Sequence, residues 1–113
     1  MTAVRNQPLS HVHNHCTLSG FVDTLEAVRM TPAGVPIRRI WIEHRSRQLE
    51  SGLPREVTAR LALILTGEPL TRQSESLRQG DALRATGFLA RAGARGESRD
   101  RLQLHVQQLD CLD

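Results

Sequence analysis

Residues 31–52 read TPAGVPIRRIWIEHRSRQLESG. Thr31-Pro32-Ala33-Gly34 has the composition of a type I turn, in which Pro32 presets φ at the second position and Gly34 relaxes the exit. Pro36 donates no backbone hydrogen bond and is tolerable only at the mouth of a strand. From Ile37 to His44 apolar and polar side chains alternate, the mark of a half-buried strand, with arginine on both faces. His44-Arg45-Ser46-Arg47-Gln48 then carries positive charge into a polar stretch, read as a loop over 45–55. A turn, a strand and an arginine-rich loop in succession describe a small β-domain that grips an anion.

Alternation continues on both sides and predicts five strands. The first covers 14–27, with Cys16, Leu18, Gly20 and Val22 on one face; Gly20 in mid-strand signals a bend or bulge. The second covers 36–45, with Ile40 and Ile42 on one face and Ile37, Arg39, Trp41 and Glu43 on the other. The third, 56–66, turns Val57, Ala59, Leu61, Leu63 and Leu65 inward. The fourth, 81–90, groups Leu83, Ala85, Gly87 and Leu89. The fifth, 101–110, places Leu102, Leu104 and Val106 inward and breaks phase before Leu109. Between the third and fourth, EPLTRQSESLRQG is expected to seat a short helix or irregular cap on Leu70 and Leu77, with Gly80 as a stop. The pattern is all-β and matches the five-stranded Greek-key barrel called the OB-fold, with an SH3-like barrel as the alternative.

A length of 113 residues suits one domain, since domains commonly hold about 100–150. The reading divides it into a loose N-terminal arm, 1–13, and an OB-fold domain, 14–113. His11, His13 and His15 share one face of an extended arm without a fixed carboxylate or thiol partner, so a polar strand entry is read there rather than a metal site. No apolar run approaches the ~18–20 residues of a membrane span, and residues 1–15 have no signal-peptide core. A cytoplasmic protein is expected. The two cysteines, Cys16 and Cys111, lie near opposite ends with no metal or redox spacing and are read as reduced thiols.

All fifteen basic residues are arginine and the net charge is +3, a balance that fits a nucleic-acid partner. Guanidinium forks onto phosphate and stacks on bases better than ammonium does. The charge is focused: six arginines lie between residues 30 and 60 against three glutamates, and four between 91 and 101 against two acids. In this fold the second and third strands, with the loops after strands one and four, form the usual oligonucleotide surface. Arg29 falls on the loop after strand one, Arg38 and Arg39 on strand two, and Arg45, Arg47 and Arg55 on the loop between strands two and three; Arg91, Arg95, Arg99 and Arg101 fall on a glycine-rich last loop. Aromatic residues, which normally stack single-strand bases, are limited to Phe21, Trp41 and Phe88. All three have off-core parity, and Trp41 is open to base stacking, a subunit interface or simple packing. No catalytic constellation, P-loop or cofactor motif is present: Glu43 and His44 are strand neighbours and point apart. A binding protein without cofactor is the reading.

Leu18-Ser19-Gly20, TPAGVP at 31–36, EHRS at 43–46, Gly67-Glu68 and GFL at 87–89 together resemble the primosomal replication protein N family, small bacterial single-stranded-DNA-binding proteins of the replication-restart primosome. The resemblance spans residues 14–110 in consistent order, with one residue inserted in the basic loop after 90. It implies an OB-fold homodimer that binds single-stranded DNA largely without sequence preference, and a restart helicase and other primosome proteins as partners. It also implies DNA contacts from Arg29, Arg45 and Arg55 and from the last loop, where Arg91, Arg95, Arg99 and Arg101 stand in for a lysine-rich segment. At two positions where the family uses aromatics this chain has Leu53 and Thr58, so arginine is expected to carry more of the contact. A general single-stranded-DNA-binding protein, which would extend a long tail beyond the last strand, is one rival reading. A protein-interaction or RNA-binding module on the same barrel is the other.

Overall fold

The computed structural model describes residues 11–93 and 101–112. Strand β1 (Cys16–Leu25) is followed by a two-residue ladder, β2 (Arg29–Met30), and by two long strands, β3 (Pro36–Glu50) and β4 (Leu53–Thr66). A short helix, α1 (Glu68–Gln73), and a 3₁₀ turn at Ser74–Ser76 lead to β5 (Ala82–Arg91) and β6 (Leu102–Leu112). The sheet runs β1-β5-β6-β4-β3, closes back from β3 onto β1, and carries β2 on the edge of β3. Only β4 and β6 pair in parallel; the other ladders are antiparallel. Five closing strands in this order form the OB-fold barrel, and the SH3-like alternative falls away.

Closure depends on β1, which pairs with β5 through Cys16–Phe21 and with β3 from Phe21 onward. Where it changes partner it approaches β3 so closely that a Cβ on Gly20 would lie 2.6 Å from the Glu43 carbonyl oxygen. Where a bend or bulge was expected, Gly20 serves this close approach of two backbones. A one-residue bulge follows, since Val22 pairs with Ile42 but Thr24 with Trp41, leaving Asp23 as the extra residue. A bulge reverses the facing of what comes after it. Val22 is buried, and Leu25, three residues on, again packs against the core. A second irregularity between Thr86 and Gly87 leaves Gln107 unpaired and produces the phase break before Leu109.

The core consists of Val22, Ile40, Ile42, Leu63, Leu65, Leu77, Leu83, Ala85, Leu104, Val106 and Leu109. Leu70 of α1 packs against it, so the helical segment plugs one mouth of the barrel. Gly80 (φ 92°) turns the chain into β5 after that segment has already ended. Cys16 and Cys111 are free thiols.

Three expectations need correction. Residues 45–55 are not a loop: β3 and β4 stay in register out to Glu50↔Leu53, and Ser51 (φ 51°) and Gly52 (φ 76°) alone make the turn. Positive φ at both central residues is the geometry that suits the twist of a two-residue hairpin. Ala59 is exposed rather than inward, because this end of the hairpin projects beyond the barrel and has no core beneath it. Leu102 is 49 % exposed, since it pairs with Arg91 at the rim where β5 and β6 diverge into their loop. The loose arm expected over 1–13 falls largely on 1–10, outside the described residues. Asn14, at its end, is tied down: its amide donates to the Leu89 carbonyl and accepts from the Leu89 N–H, each at 2.9 Å.

Candidate nucleic-acid interface

On the outer face of the barrel, register places side chains in transverse rows. Arg39 pairs with Ile64, Ile64 with His105, and His105 with Phe88, one row across β3, β4, β6 and β5. Trp41, Ala62, Gln103 and Ala90 form the next row. Members of both rows, Arg39, Ile64 and His105 of the first and Trp41 and Gln103 of the second, line a groove of ≈ 370 Å³ together with Arg29, Ala92 and Arg101, among others. Ala62, Ile64 and Gln103 are buried although they face away from the core, because the groove walls rise over them. His105 is stacked on Phe88, ring centroids 5.2 Å apart and planes 4° from parallel.

Trp41 is fixed on two sides. Its indole Nε1 donates to Glu26 Oε2 at 2.8 Å, and the guanidinium of Arg60 covers the ring with Cζ 4.3 Å from the centroid. Arg60 is itself held by Asp23, through Nε at 3.2 Å and Nη2 at 3.0 Å. Arg39 grips the Glu26 carboxylate through Nε at 2.7 Å and Nη2 at 3.0 Å. The result is a chain of alternating charge, Asp23–Arg60–Trp41–Glu26–Arg39. Hydrogen bonds from Arg39 and then Trp41 hold the Glu26 carboxyl below the ordinary range, and those from Arg60 and then Thr24 do the same for Asp23. The Arg39 guanidinium is held above its ordinary value chiefly by its hydrogen bond to Glu26.

The expected contact residues separate into three places. Arg29 on β2, Arg39 and Trp41 on β3, and Arg101 before β6 meet in the groove, with Arg91 exposed at the end of β5. Arg45, Arg47 and Arg55 lie on the projecting hairpin. There Arg47 pairs with Glu56 at 2.9 Å and Arg55 with Glu50 at 2.8 Å, while Arg45 lies beside Phe21 and Leu112. Arg38 goes elsewhere: Nε donates to the Glu26 carbonyl at 2.8 Å, and Nη1 to the buried Ser74, at 3.1 Å to O and 3.0 Å to Oγ. Half-buried, it ties β3 to the helical segment instead of joining the groove. Arg95 and Arg99 lie outside the described residues.

Glu26, Arg60, His105 and Gln103 were not anticipated. Glu26 is hidden from alternation by the bulge at Asp23, which shifts it to the outer face. Arg60 and His105 carry outer parity in their strands, which is the sequence signal that marks them. Among the described residues no group of three or more His, Cys, Asp or Glu side chains is placed to hold a metal, and no helix is long and apolar enough to cross a membrane.

Known proteins match this chain over most of its length. A family model described as another single-strand binding protein family matches residues 14–108. A replication restart protein PriB from Photorhabdus laumondii is 33 % identical over 100 residues, covering 88 % of this chain and 94 % of that protein. PriB from Vibrio cholerae is 33 % identical over 96 residues, 85 % of this chain and 95 % of its own. Among solved structures, PriB from Ralstonia solanacearum superposes with a TM-score of 0.76 at 25 % identity, over 88 % of this chain and 98 % of that one. A Plasmodium falciparum single-strand binding protein in complex with single-stranded DNA shares the fold, with a TM-score of 0.75 at 12 % identity over 94 % of this chain and all of that one. Aligned almost end to end with relatives above 30 % identity, and with its strands in the same arrangement, the chain belongs to the replication restart protein PriB family of single-strand binding proteins.

Proposed function

We propose that this protein binds single-stranded DNA in replication restart, with the groove as its reading surface. The observation that carries the reading is the convergence of Arg29, Arg39, Trp41 and Arg101, from three separate segments, on one concave outer face. The combination suits a flexible polyanion with exposed bases: guanidinium groups reach phosphate oxygens along an irregular backbone, and a ring held edge and face offers a base a flat partner. Duplex DNA, whose bases are already stacked, gains nothing from the ring. The protein acts by holding strand, with no bond made or broken, and needs no cofactor.

Arg91 at the end of β5 and Arg45 on the hairpin extend the positive surface, Arg47 and Arg55 contribute from their ion pairs with Glu56 and Glu50, and Arg95 and Arg99 add positive charge in the sequence that follows Arg91. The row Phe21, Ala82 and Leu112, paired across β1, β5 and β6, leaves Phe21 55 % exposed and is the face offered to a second copy in a homodimer. The restart helicase and other primosome proteins are its partners in the cytoplasm.

The test is fluorescence anisotropy of a labelled dT oligomer of about 35 nucleotides, at two salt concentrations, beside a duplex of equal length. Salt-sensitive binding to the single strand, much poorer binding to the duplex, and loss on replacing Arg29 and Arg101 by Ala are expected. No binding of the unaltered protein at low salt sinks the proposal.

A further inference from the structure

The groove holds an internal anion. Glu26 follows the end of β1, and its backbone N–H continues the ladder onto the Arg39 carbonyl at 3.0 Å. Its carboxylate takes two donors from Arg39 and one from Trp41, so it occupies the guanidinium fork in the manner that a phosphate would. We infer that Glu26 is a specificity-determining and positioning residue of the groove: it fixes Arg39 and Trp41 in one geometry and discharges Arg39, leaving Arg29 and Arg101 as the groove cations that a bound strand meets.

The physical argument is one of charge and geometry. Binding to a single strand releases counterions in proportion to the phosphates neutralised, with a slope near −0.7 per contact. An arginine already neutralised by a carboxylate 2.7 Å away adds little to that slope. Arg60 is handled in the same way by Asp23, so two of the cations around Trp41 are paired inside the protein. What the pairing secures is the ring: its N–H is satisfied by Glu26, and one face is backed by a cation that Asp23 holds. The groove is thereby weighted toward base contact and away from phosphate attraction, which lowers its salt dependence.

The inference rests on the nucleic-acid reading of the groove, and the test separates the two. Glu26→Gln keeps an oxygen acceptor for Arg39 and Trp41 but removes the charge. Glu68→Gln removes an equal charge on α1, where Glu68 pairs with Arg72, and serves as the control for net charge. Affinity for the dT oligomer is measured across 50–200 mM salt for all three proteins. The expected result is tighter low-salt binding by Glu26→Gln alone, with a slope steeper by about 0.7, so that it loses about 2.6-fold more affinity over that range than wild type. Overlapping curves for Glu26→Gln and wild type overturn the inference. So does weaker binding at unchanged slope, which would make Glu26 only an anchor for the ring. Failure of wild type to bind overturns the nucleic-acid reading itself, and the inference with it.

Discussion

The guanidinium of Arg60 lies over the ring of Trp41, with Cζ 4.3 Å from the ring centroid. The two residues are joined by the β3–β4 ladder, in which Trp41 pairs with Ala62 and Glu43 with Arg60. An arginine on an indole face contributes about 0.5–1 kcal/mol at an exposed site. Trp41 is the only tryptophan, so the emission reports on the surroundings of this one ring, in which Arg60 lies nearer than Arg39, whose Cζ is 5.7 Å from the centroid. Replacing Arg60 by Ala is expected to shift the emission and lower the unfolding free energy by about that amount. Unchanged emission would mean that the pair does not persist in solution.

Stacking and charge make separable demands. Trp41→Ala is expected to weaken dT binding by about 1–3 kcal/mol, the worth of one stacked base, with little change in salt slope. Arg29→Ala and Arg101→Ala should each flatten the slope by about 0.7. Titrations over several salt concentrations tell them apart. A flattened slope in the tryptophan variant, or none in either arginine variant, counts against the assignment.

The hairpin ion pairs contribute little to stability. Arg47–Glu56 and Arg55–Glu50 have side chains 63–77 % exposed, and exposed pairs of this kind are worth about 0–1 kcal/mol. Chemical denaturation of Arg47→Ala and Arg55→Ala should therefore give midpoints close to wild type. A clear drop would show that the arm is coupled to the barrel more tightly than its exposure implies.

Gly87 tolerates no side chain. A Cβ there would lie 1.8 Å from the His105 carbonyl oxygen, because the unpaired Gln107 draws the two strands together at that point. Gly87→Ala must push β6 away from β5 and is expected to cost at least about 1–3 kcal/mol, the range for overpacked sites. Thermal unfolding measures it, and a wild-type midpoint would place the strands further apart than described.

Acid stability follows from Asp23 and Glu26. Both carboxyls sit below their ordinary values, Asp23 chiefly through its hydrogen bonds from Arg60 and Glu26 chiefly through those from Arg39. A carboxyl depressed in the folded state stabilises above its unfolded pKa of about 4, and that stabilisation is lost as pH falls through the lower folded value. Thermal midpoints should therefore hold from neutral pH to about 5 and fall below about 4. The double variant Asp23→Asn, Glu26→Gln is expected to fall less steeply; an acid limb identical to wild type would refute the assignment.

The alternation of apolar residues settled the strands and most of the core, because a period of two shows which side chains a sheet buries. Leu83 with Ala85, Ile40 with Ile42, and Leu63 with Leu65 were all legible in this way. So was a special backbone position at Gly20, and so was the phase break before Leu109. The off-core placement of Phe21, Trp41 and Phe88 followed from the same parity. Arginine composition pointed to a polyanion, and the order of short motifs pointed to the family.

Tertiary structure decided what alternation cannot carry. A single extra residue at Asp23 reverses the facing of the end of β1, turning Leu25 inward and Glu26 outward, and nothing local in the sequence marks it. Over 45–55 composition does not distinguish a loop from a hairpin, because polar residues serve equally in a coil and in an arm exposed on both faces. Arg38 and Arg39 are neighbours of one residue type, yet one ties the barrel to its plug while the other lines the groove. Strand parity puts them on opposite sides, but only the closed barrel determines what each side meets.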